Sequence, residues 1–175
     1  MPLYMDVHYR VDGLTAEAVA KAHAADLAVQ TKHKVRFLNY WFDEGTGRVF
    51  CLSDAPNVDA PEQCHRDAHG LLADEITQVS EYAGDNLAAA PDAGLCMDTH
   101  FRVEGLAPEA IAQAIRQHTS VGRRRGVRWL KAWYDASSGR LFCLSESPTA
   151  AAHVSVHQEA AGLLVDEVNE VRQGM

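Results

Sequence analysis

The sequence lacks the features that mark several large functional classes. No apolar run approaches the roughly 20 residues that a membrane span requires. Residues 1–6 show neither the basic start nor the apolar core of a signal peptide. The four cysteines form no Cys-x-x-Cys pair and no zinc-ribbon spacing. We therefore expect a cytoplasmic protein with reduced thiols and without a membrane partner.

Positive charge is also scarce, with 16 Lys and Arg against 24 Asp and Glu and a net charge of −8. Such a chain has no long-range attraction for phosphate backbones, so nucleic acid is not expected as a partner. The sequence has no nucleotide-binding loop, no dinucleotide fingerprint and no Ser-His-Asp order typical of hydrolases. It therefore leaves open whether the protein catalyses a reaction.

What the chain does contain is an internal repeat. When Met5 is aligned with Met97, the alignment runs without a gap to Val79 on Val171, and roughly 33 of about 76 positions are identical. Residues 82–94 are rich in Ala, Gly, Asp and Pro, which is typical of a linker. The sequence therefore predicts a first domain over residues 1–81 and a second over residues 95–175.

Each copy predicts the same order of elements. In the first copy, alternating apolar residues predict strands over residues 3–11, 35–42, 48–53 and 75–79. Helices are predicted from the N-cap Thr15 to about residue 30, and over residues 60–73. The order βαββαβ is that of ferredoxin-like α+β units. We expect the two tandem units to pack sheet to sheet as a pseudo-dimeric α+β barrel.

The alternation also predicts which way the strand side chains point. Met5 and Val7 are expected to face the helices, with Phe50 and Leu52 beside them. Asp6, His8, Phe37, Trp41, Cys51 and Ser53 would then point into the barrel, together with Trp129, Lys131 and Trp133 of the second copy. Cys51 and Cys143, flanked by apolar residues, are interpreted as small buried hydrophobes, with a metal thiolate as the alternative.

Nine histidines provide the candidate functional groups. The first group is Asp6 with His8, repeated as Asp98 with His100. Residues two apart share a strand face, and a carboxylate beside an imidazole suits a general base or a divalent metal site. The alternative is a buried hydrogen-bonded pair with a purely structural role.

The second group is His65 and His69, whose i, i+4 spacing stacks two imidazoles on one helix face as metal chelation requires. His23 and Asp26, three apart on the first helix, could converge with them. The alternative is separate boundary histidines. In the second copy His157 matches His65, but other residues replace the rest: Ala161 for His69, Ile115 for His23 and His118 for Asp26.

A resemblance follows from four segments: residues 5–8 (Met-Asp-Val-His), residues 13–15 (Gly-Leu-Thr), residues 49–52 with Ala55 and Pro56, and residues 65–70 (His-Arg-Asp-Ala-His-Gly). They resemble a family of small bacterial ferredoxin-like proteins, formerly of unknown function, that has a nickel-binding member. Each copy covers a whole domain of that family. The resemblance implies a ferredoxin-like fold, dimer formation and a divalent metal held by histidines.

The first hypothesis is therefore a divalent metal-binding protein, with Ni²⁺ first and Zn²⁺ or Cu²⁺ as alternatives. The expected ligands are His8, Asp6, His65 and His69, followed by His23, Asp26, His100 and His157. His8 and His65 are expected on opposite faces of the sheet, so they would not share an ion. Binding is expected to weaken below about pH 6, where free histidines protonate.

Two other hypotheses come from different functional classes. One is a barrel-cavity enzyme or small-molecule binder, in which Asp6, His8 and Trp41 line a pocket between the sheets. The other is a non-catalytic interaction or sensor module. Beyond the internal pseudo-dimer, a further homodimer is also considered.

Overall fold

The computed structural model describes residues 1–85, 93–103, 105–161 and 165–175. These residues form eight strands and four α-helices. In chain order they are β1 (Leu3–His8), α1 (Ala16–Val29), β2 (Arg36–Asp43), β3 (Arg48–Asp54), α2 (Asp59–Ala68), β4 (Glu75–Ala83), β5 (Leu95–His100), α3 (Pro108–Arg125), β6 (Arg128–Tyr134), β7 (Leu141–Glu146), α4 (Ala150–Ala161) and β8 (Glu167–Gly174). A short 3₁₀ turn, Gln30–His33, follows α1. The predicted βαββαβ order is confirmed in both copies.

All strand pairings are antiparallel, and the hydrogen-bonded order β1-β3-β2-β8-β5-β7-β6-β4 forms a closed barrel. The predicted fold class, an α+β barrel of two ferredoxin-like units, is therefore confirmed. Two compact units make up the chain: residues 1–79 with 172–175, and residues 80–171. Strand β4 runs to Ala83 and so enters the predicted linker, and residues 86–92 of that linker lie outside the described residues. The boundaries at residues 82 and 94 stay a prediction.

The ends of the first two helices follow from local hydrogen bonds. At the start of α1 the amide of Ala18 donates to Oγ1 of Thr15 over 3.1 Å, as the N-cap prediction requires. Helix α2 ends at Ala68, five residues before the predicted end. Gly70 adopts a left-handed φ of 78°, and the amides of His69 and Gly70 both donate to the carbonyl of His65. This turn holds His69 beside the last turn of α2.

The predicted side-chain directions of β1 and β3 are wrong. Tyr4 and Cys51 belong to the core on the helix side of the sheet, with Val19 of α1 and Cys64 of α2. Asp6 and His8 share that face, since they alternate with Tyr4 along β1. The residues predicted to face the helices, Met5, Val7, Phe50 and Leu52, therefore point to the other face and are buried there. Because both sheet faces are buried, apolar alternation does not reveal which face meets the helices.

A β-bulge explains a second error. The pairing of β2 with β3 shifts register between Phe37 and Asn39, so Phe37 and Tyr40 both lie on the helix side. The equivalent shift in β6 lies between Trp129 and Lys131 and places Trp129 in the helix-side core of the second unit. The prediction that Phe37 and Trp129 face the barrel interior is therefore wrong.

None of the four described helices is both long enough and apolar enough to cross a membrane.

Candidate metal centre

Four donor side chains converge between the sheet and the helices of the first repeat. Asp6 and His8 come from β1, and Cys51 of β3 lies directly opposite Asp6 in the strand register. His65 enters from the last turn of α2. One ligand atom from each side chain lies within 4.8 Å of the others, and all four residues are buried. We call Asp6, His8, Cys51 and His65 the first-repeat cluster.

The second repeat builds the same arrangement from the equivalent residues. Asp98 and His100 lie on β5, Cys143 lies opposite Asp98 on β7, and His157 comes from α4. Their ligand atoms again lie within 4.8 Å of one another, and all four residues are buried. We call Asp98, His100, Cys143 and His157 the second-repeat cluster.

The aspartate of each cluster has one oxygen without a hydrogen bond. In the first repeat Oδ2 of Asp6 lies 3.3 Å from Nε2 of His65, whereas the buried Oδ1 has no hydrogen-bond partner. Nε2 of His8 lies 3.5 Å from that oxygen. Asp98 repeats the pattern, because its Oδ1 is also unpartnered and lies 3.3 Å from Nε2 of His100. A buried carboxylate oxygen normally has a partner, so both positions suit a cation.

His65 lies between two carboxylates. Its Nε2 faces Asp6, and its Nδ1 lies 2.9 Å from Oδ1 of Asp26. Burial alone would lower the pKa of His65, but the charge of Asp6 and the hydrogen bond to Asp26 outweigh it and raise that pKa to about 10. Burial opposes ionisation of Asp6, yet the charge and hydrogen bond of His65 lower the pKa of Asp6 below its usual range. Without metal, His65 is therefore an imidazolium that donates to both acids.

A second set of donors adjoins the first-repeat cluster. Nε2 of His69 lies 3.2 Å from Oδ1 of Asp26, and the ligand atoms of Asp26, His65 and His69 all lie within 4.8 Å of one another. We call these three residues the helix-side trio. Burial opposes ionisation of Asp26, but hydrogen bonds from His65 and His69 lower the pKa of Asp26. The predicted convergence of the two helices is thus present.

His23 lies beside the helix-side trio without a hydrogen bond to it in the structure. Its ring packs 4.7 Å from Tyr40 and 6.1 Å from Phe37. Burial lowers the pKa of His23, which favours the neutral ring. The surroundings of His23 are therefore largely apolar, in line with the isoleucine at this position in the second repeat.

The second-repeat cluster has histidines where the first has other residues. His118 replaces Asp26 and lies with its Nε2 2.7 Å from Nδ1 of His157. His153, in place of Pro61, lies with its Nε2 2.5 Å from Oδ2 of Asp98. Four buried imidazoles therefore surround a single buried carboxylate: His100, His118, His153 and His157 around Asp98.

The hydrogen bonds of His118 set the tautomer of its ring. Nδ1 of His118 donates to the carbonyl of Ala114, so Nε2 of the neutral His118 ring is an acceptor. Burial, reinforced by the charge of His157, lowers the pKa of His118 to about 4, which keeps that ring neutral. Nδ1 of His157 therefore donates to His118, and Nε2 of His157 lies 2.5 Å from Oδ2 of Asp98.

The thiols of both clusters are protonated in the metal-free protein. Burial raises the pKa of Cys51 well above its usual value, and the charges of Asp6 and Asp26 add to that effect. Burial and the charge of Asp98 do the same for Cys143. All four cysteines are free and buried. Metal coordination would reverse this, because a coordinating thiol gives up its proton.

The sequence analysis missed His153. It stands four residues before His157, the same i, i+4 spacing that drew attention to His65 and His69. Comparing the repeats position by position shows that Ala161 replaces His69 in the second repeat. The same comparison, limited to the histidines of the first repeat, does not show that His153 is added one turn before His157. Oγ of Ser145 donates to Nδ1 of His153 over 2.6 Å, which makes a Ser145–His153–Asp98 chain. All three residues are fully buried.

The structure corrects the expectation that His8 and His65 cannot share an ion. Their ring centroids lie 5.4 Å apart on the helix side of the sheet. The same observation removes the premise of the barrel-cavity hypothesis, because Asp6 and His8 do not point into the barrel. Of the predicted residues, Asp6, His8 and His65 meet in one cluster, and His100 and His157 meet in the other. His69, Asp26 and His23 adjoin the first.

Beside the first-repeat cluster lies a small cavity of about 60 Å³. Its apolar lining comes from α1, the segment before α1, and single residues of β2, β3 and the turn after α2. Six lining residues carry donor atoms: His8, His23, Asp26, Cys51, His65 and His69. The cavity gives both the cluster and the helix-side trio a common open side.

Together, the fold and the site define the chain as a tandem ferredoxin-like α+β barrel protein with a buried His-Asp-Cys cluster in each repeat. The family model described as "Nickel responsive protein SCO4226-like" matches residues 4–79 and 89–171. The chain therefore belongs to the SCO4226-like family of nickel responsive proteins. A comparison with curated proteins gives no match.

The solved structures that resemble the chain include the following three. SCO4226 from Streptomyces coelicolor A3(2) is 38% identical, covers 50% of this chain with 99% of its own length, and gives a TM-score of 0.43. An inferred monooxygenase from Lactobacillus acidophilus NCFM is 10% identical over 98% of this chain and 93% of its own, with a TM-score of 0.48. An inferred chlorite dismutase, TA0507, is 11% identical over 98% of this chain and 95% of its own, with a TM-score of 0.46. At such scores these likenesses carry no weight for function.

Proposed function

We propose that this protein binds divalent transition-metal ions, nickel first, with one ion in each cluster. The observation that carries the proposal is the repetition of one donor set. In both repeats a carboxylate, two imidazoles and a thiol converge in a buried site, and the same aspartate oxygen has no hydrogen bond. A structural role alone requires satisfied polar groups, whereas a metal ion accounts for the unpartnered oxygen in both places.

The donor types favour a borderline metal. Imidazole suits Ni²⁺, Cu²⁺ and Zn²⁺, and a thiolate strengthens that preference over Mg²⁺ or Ca²⁺, which prefer oxygen. The family name adds nickel responsiveness, which places Ni²⁺ first among the three. Metal–ligand bonds measure roughly 2.0–2.3 Å, so the side chains must draw together slightly from their present spread of up to 4.8 Å.

Charge balance supports one divalent ion in the second-repeat cluster. Asp98 carries one negative charge, and the thiol of Cys143 supplies a second when metal displaces its proton. Neutral imidazoles complete the site without adding charge. A dication, one carboxylate and one thiolate leave no net buried charge, which burial in an apolar surrounding requires.

Calorimetric titration of the chelator-treated protein with Ni²⁺ and with Zn²⁺ at pH 7.5 tests the proposal. We expect micromolar or tighter binding, loss of one ion in each of the His8→Ala and His100→Ala variants, and loss of both cluster ions in the double variant. The matched control is His33→Ala, because His33 belongs to none of the three donor sets and pairs with Asp67 near the surface over 2.9 Å. No binding by the parent protein, or undiminished binding by the double variant, would refute the proposal.

A spectroscopic test addresses the thiols. Nickel bound through Cys51 and Cys143 should give thiolate-to-nickel charge-transfer absorption in the near ultraviolet. Each of the Cys51→Ser and Cys143→Ser variants should lose about half of the band, and Cys64→Ser, a buried thiol outside both clusters, should keep all of it. Nickel binding without any such band would remove the thiols from the site.

A further inference from the structure

We propose that His65 bridges two metal ions in the first repeat, one in the first-repeat cluster and one in the helix-side trio. This inference rests on the proposed function, since it assumes that the clusters bind metal. It goes further by assigning a paired centre to one repeat and a single ion to the other.

The orientation of the His65 ring is the main argument. Its two nitrogens face two separate acid groups, with Asp6 at 3.3 Å from Nε2 and Asp26 at 2.9 Å from Nδ1. An imidazole that has lost both ring protons can coordinate an ion at each nitrogen. The ring of His65 therefore already points one nitrogen at each of the two donor sets.

The helix-side trio supplies the ligands of the second ion. Asp26 approaches His69 as well as His65, with Nε2 of His69 3.3 Å from Oδ2 of Asp26. His23 stands three residues before Asp26 on α1 and lines the same cavity, so it is available as a fourth ligand. Two imidazoles and one carboxylate are a common set for a divalent ion that keeps an open position.

The cavity accounts for that open position. Its volume of about 60 Å³ adjoins His8, Asp26 and His69. A water molecule in the liquid takes up about 30 Å³, so the space accommodates about two waters. Both ions can therefore complete their coordination with water on the same side.

The buried charges also match two ions. Asp6 and Asp26 contribute two negative charges, and the thiolate of Cys51 and the imidazolate of His65 contribute two more. Two dications neutralise these four charges, whereas one would leave the site with a net negative charge. The three protons released, two from His65 and one from Cys51, pass to the solvent.

The second repeat lacks this possibility and therefore serves as an internal comparison. Nδ1 of His157 faces Nε2 of His118 rather than a carboxylate. Ala161 and Ile115 replace the other two donors, His69 and His23. We therefore expect three divalent ions per chain, with a bridged pair in the first repeat and a single ion in the second.

Loading with Cu²⁺ as the probe, followed by metal analysis and electron paramagnetic resonance, tests the inference. Two Cu²⁺ ions that share an imidazolate pair their spins antiferromagnetically, so a frozen sample should hold three copper ions per chain but show the signal of about one. The His23→Ile/His69→Ala variant carries the residues of the second repeat. It should bind two ions and show the full signal of both.

The control is His33→Ala, which should bind three copper ions per chain and show the signal of about one, as the parent protein does. Two fully visible copper ions in the parent protein would overturn the bridge while leaving the proposed function intact. No copper in either cluster would overturn both. If the variant does not fold, the fraction of silent copper in the parent protein decides the question by itself.

Discussion

The two repeats share four candidate metal ligands and differ in the charges around them. In the first, Asp6 and Asp26 enclose one imidazolium, His65. In the second, Asp98 is the one acid of the cluster, and four imidazoles surround it. The repeats therefore share the residues that would bind an ion and differ in the residues that set the charge around that ion.

The histidines beside the two clusters hold protons differently. In the first repeat the charge of Asp6 and the hydrogen bond to Asp26 outweigh burial and raise the pKa of His65 to about 10. In the second repeat burial, reinforced by the charge of His157, lowers the pKa of His118 to about 4. His65 therefore binds its proton more tightly than free histidine does, and His118, which stands at the position of Asp26, binds one more weakly.

The largest expected effect is on metal affinity as a function of pH. In the His100→Ala variant the first repeat keeps its full donor set. There an incoming ion must displace the proton of His65, whose pKa is about 10. Affinity for Ni²⁺ should therefore rise at least tenfold per pH unit between pH 7 and pH 9. Calorimetry in buffers of different ionisation enthalpy counts the protons released, and a flat affinity over this range would contradict the assignment of His65. Protons should therefore compete with the metal ion for His65 well above pH 6, the value expected for unperturbed histidines.

The next largest effect is expected on the free energy of unfolding of the metal-free protein. Asp98→Asn removes the one carboxylate that His153 and His157 both contact, and each buried donor left without its acceptor costs about 1–3 kcal/mol. Asp6→Asn should cost less, because Asp26 still accepts from His65. Urea unfolding in the presence of chelator measures both. Equal losses would show that the second acid of the first repeat does not matter.

A third prediction concerns acid stability. The pKa of His118 falls from about 6.5 in the unfolded chain to about 4 in the folded protein, so the unfolded chain binds more protons in that interval. Metal-free stability should therefore decline as the pH falls from 6.5 to 4, by about 3 kcal/mol. His118→Asn should flatten this decline, and His33→Asn should not. His65 has the opposite effect on stability. Its stabilising contribution is complete below pH 6.5 and is lost as the pH rises towards 10, because the pKa of His65 is raised to about 10 in the folded protein.

The smallest effect is expected for His23→Ile. The ring packs against Tyr40 and is held neutral by burial, and an isoleucine of similar volume stands at the equivalent position of the second repeat. Stability of the metal-free protein should change by less than about 1 kcal/mol. A loss of several kcal/mol in thermal or urea unfolding would show that His23 has a polar partner in solution.

The architecture could be predicted from the sequence because duplication makes the element pattern appear twice. Thr15 marks the start of α1, and the βαββαβ order follows from strand and helix periodicity. The direction of the strand side chains could not be predicted. Both faces of the sheet are buried, so Met5 and Asp6 alternate without indicating which of them meets the helices. The bulge at Phe37 reversed the direction within β2, and sequence alone gave no sign of it.

The histidines and the aspartate of the first-repeat cluster could be proposed from the sequence, but neither its cysteine, Cys51, nor the grouping of the residues could. His65 and His69 follow from helical spacing, and Asp6 with His8 from strand spacing. The sequence analysis did not predict that Asp6 and His8 meet His65, because it placed the β1 side chains on the wrong face of the sheet. His153 replaces Pro61 rather than another donor, so comparing the repeats for retained histidines did not reveal it.

The most direct test of the central claim is anomalous diffraction at the nickel edge from nickel-loaded crystals. The account predicts one peak within bonding distance of His157 and Asp98, and at least one within bonding distance of His65 and Asp6. Peaks confined to the surface, for example at His33, with both buried clusters unchanged would contradict it.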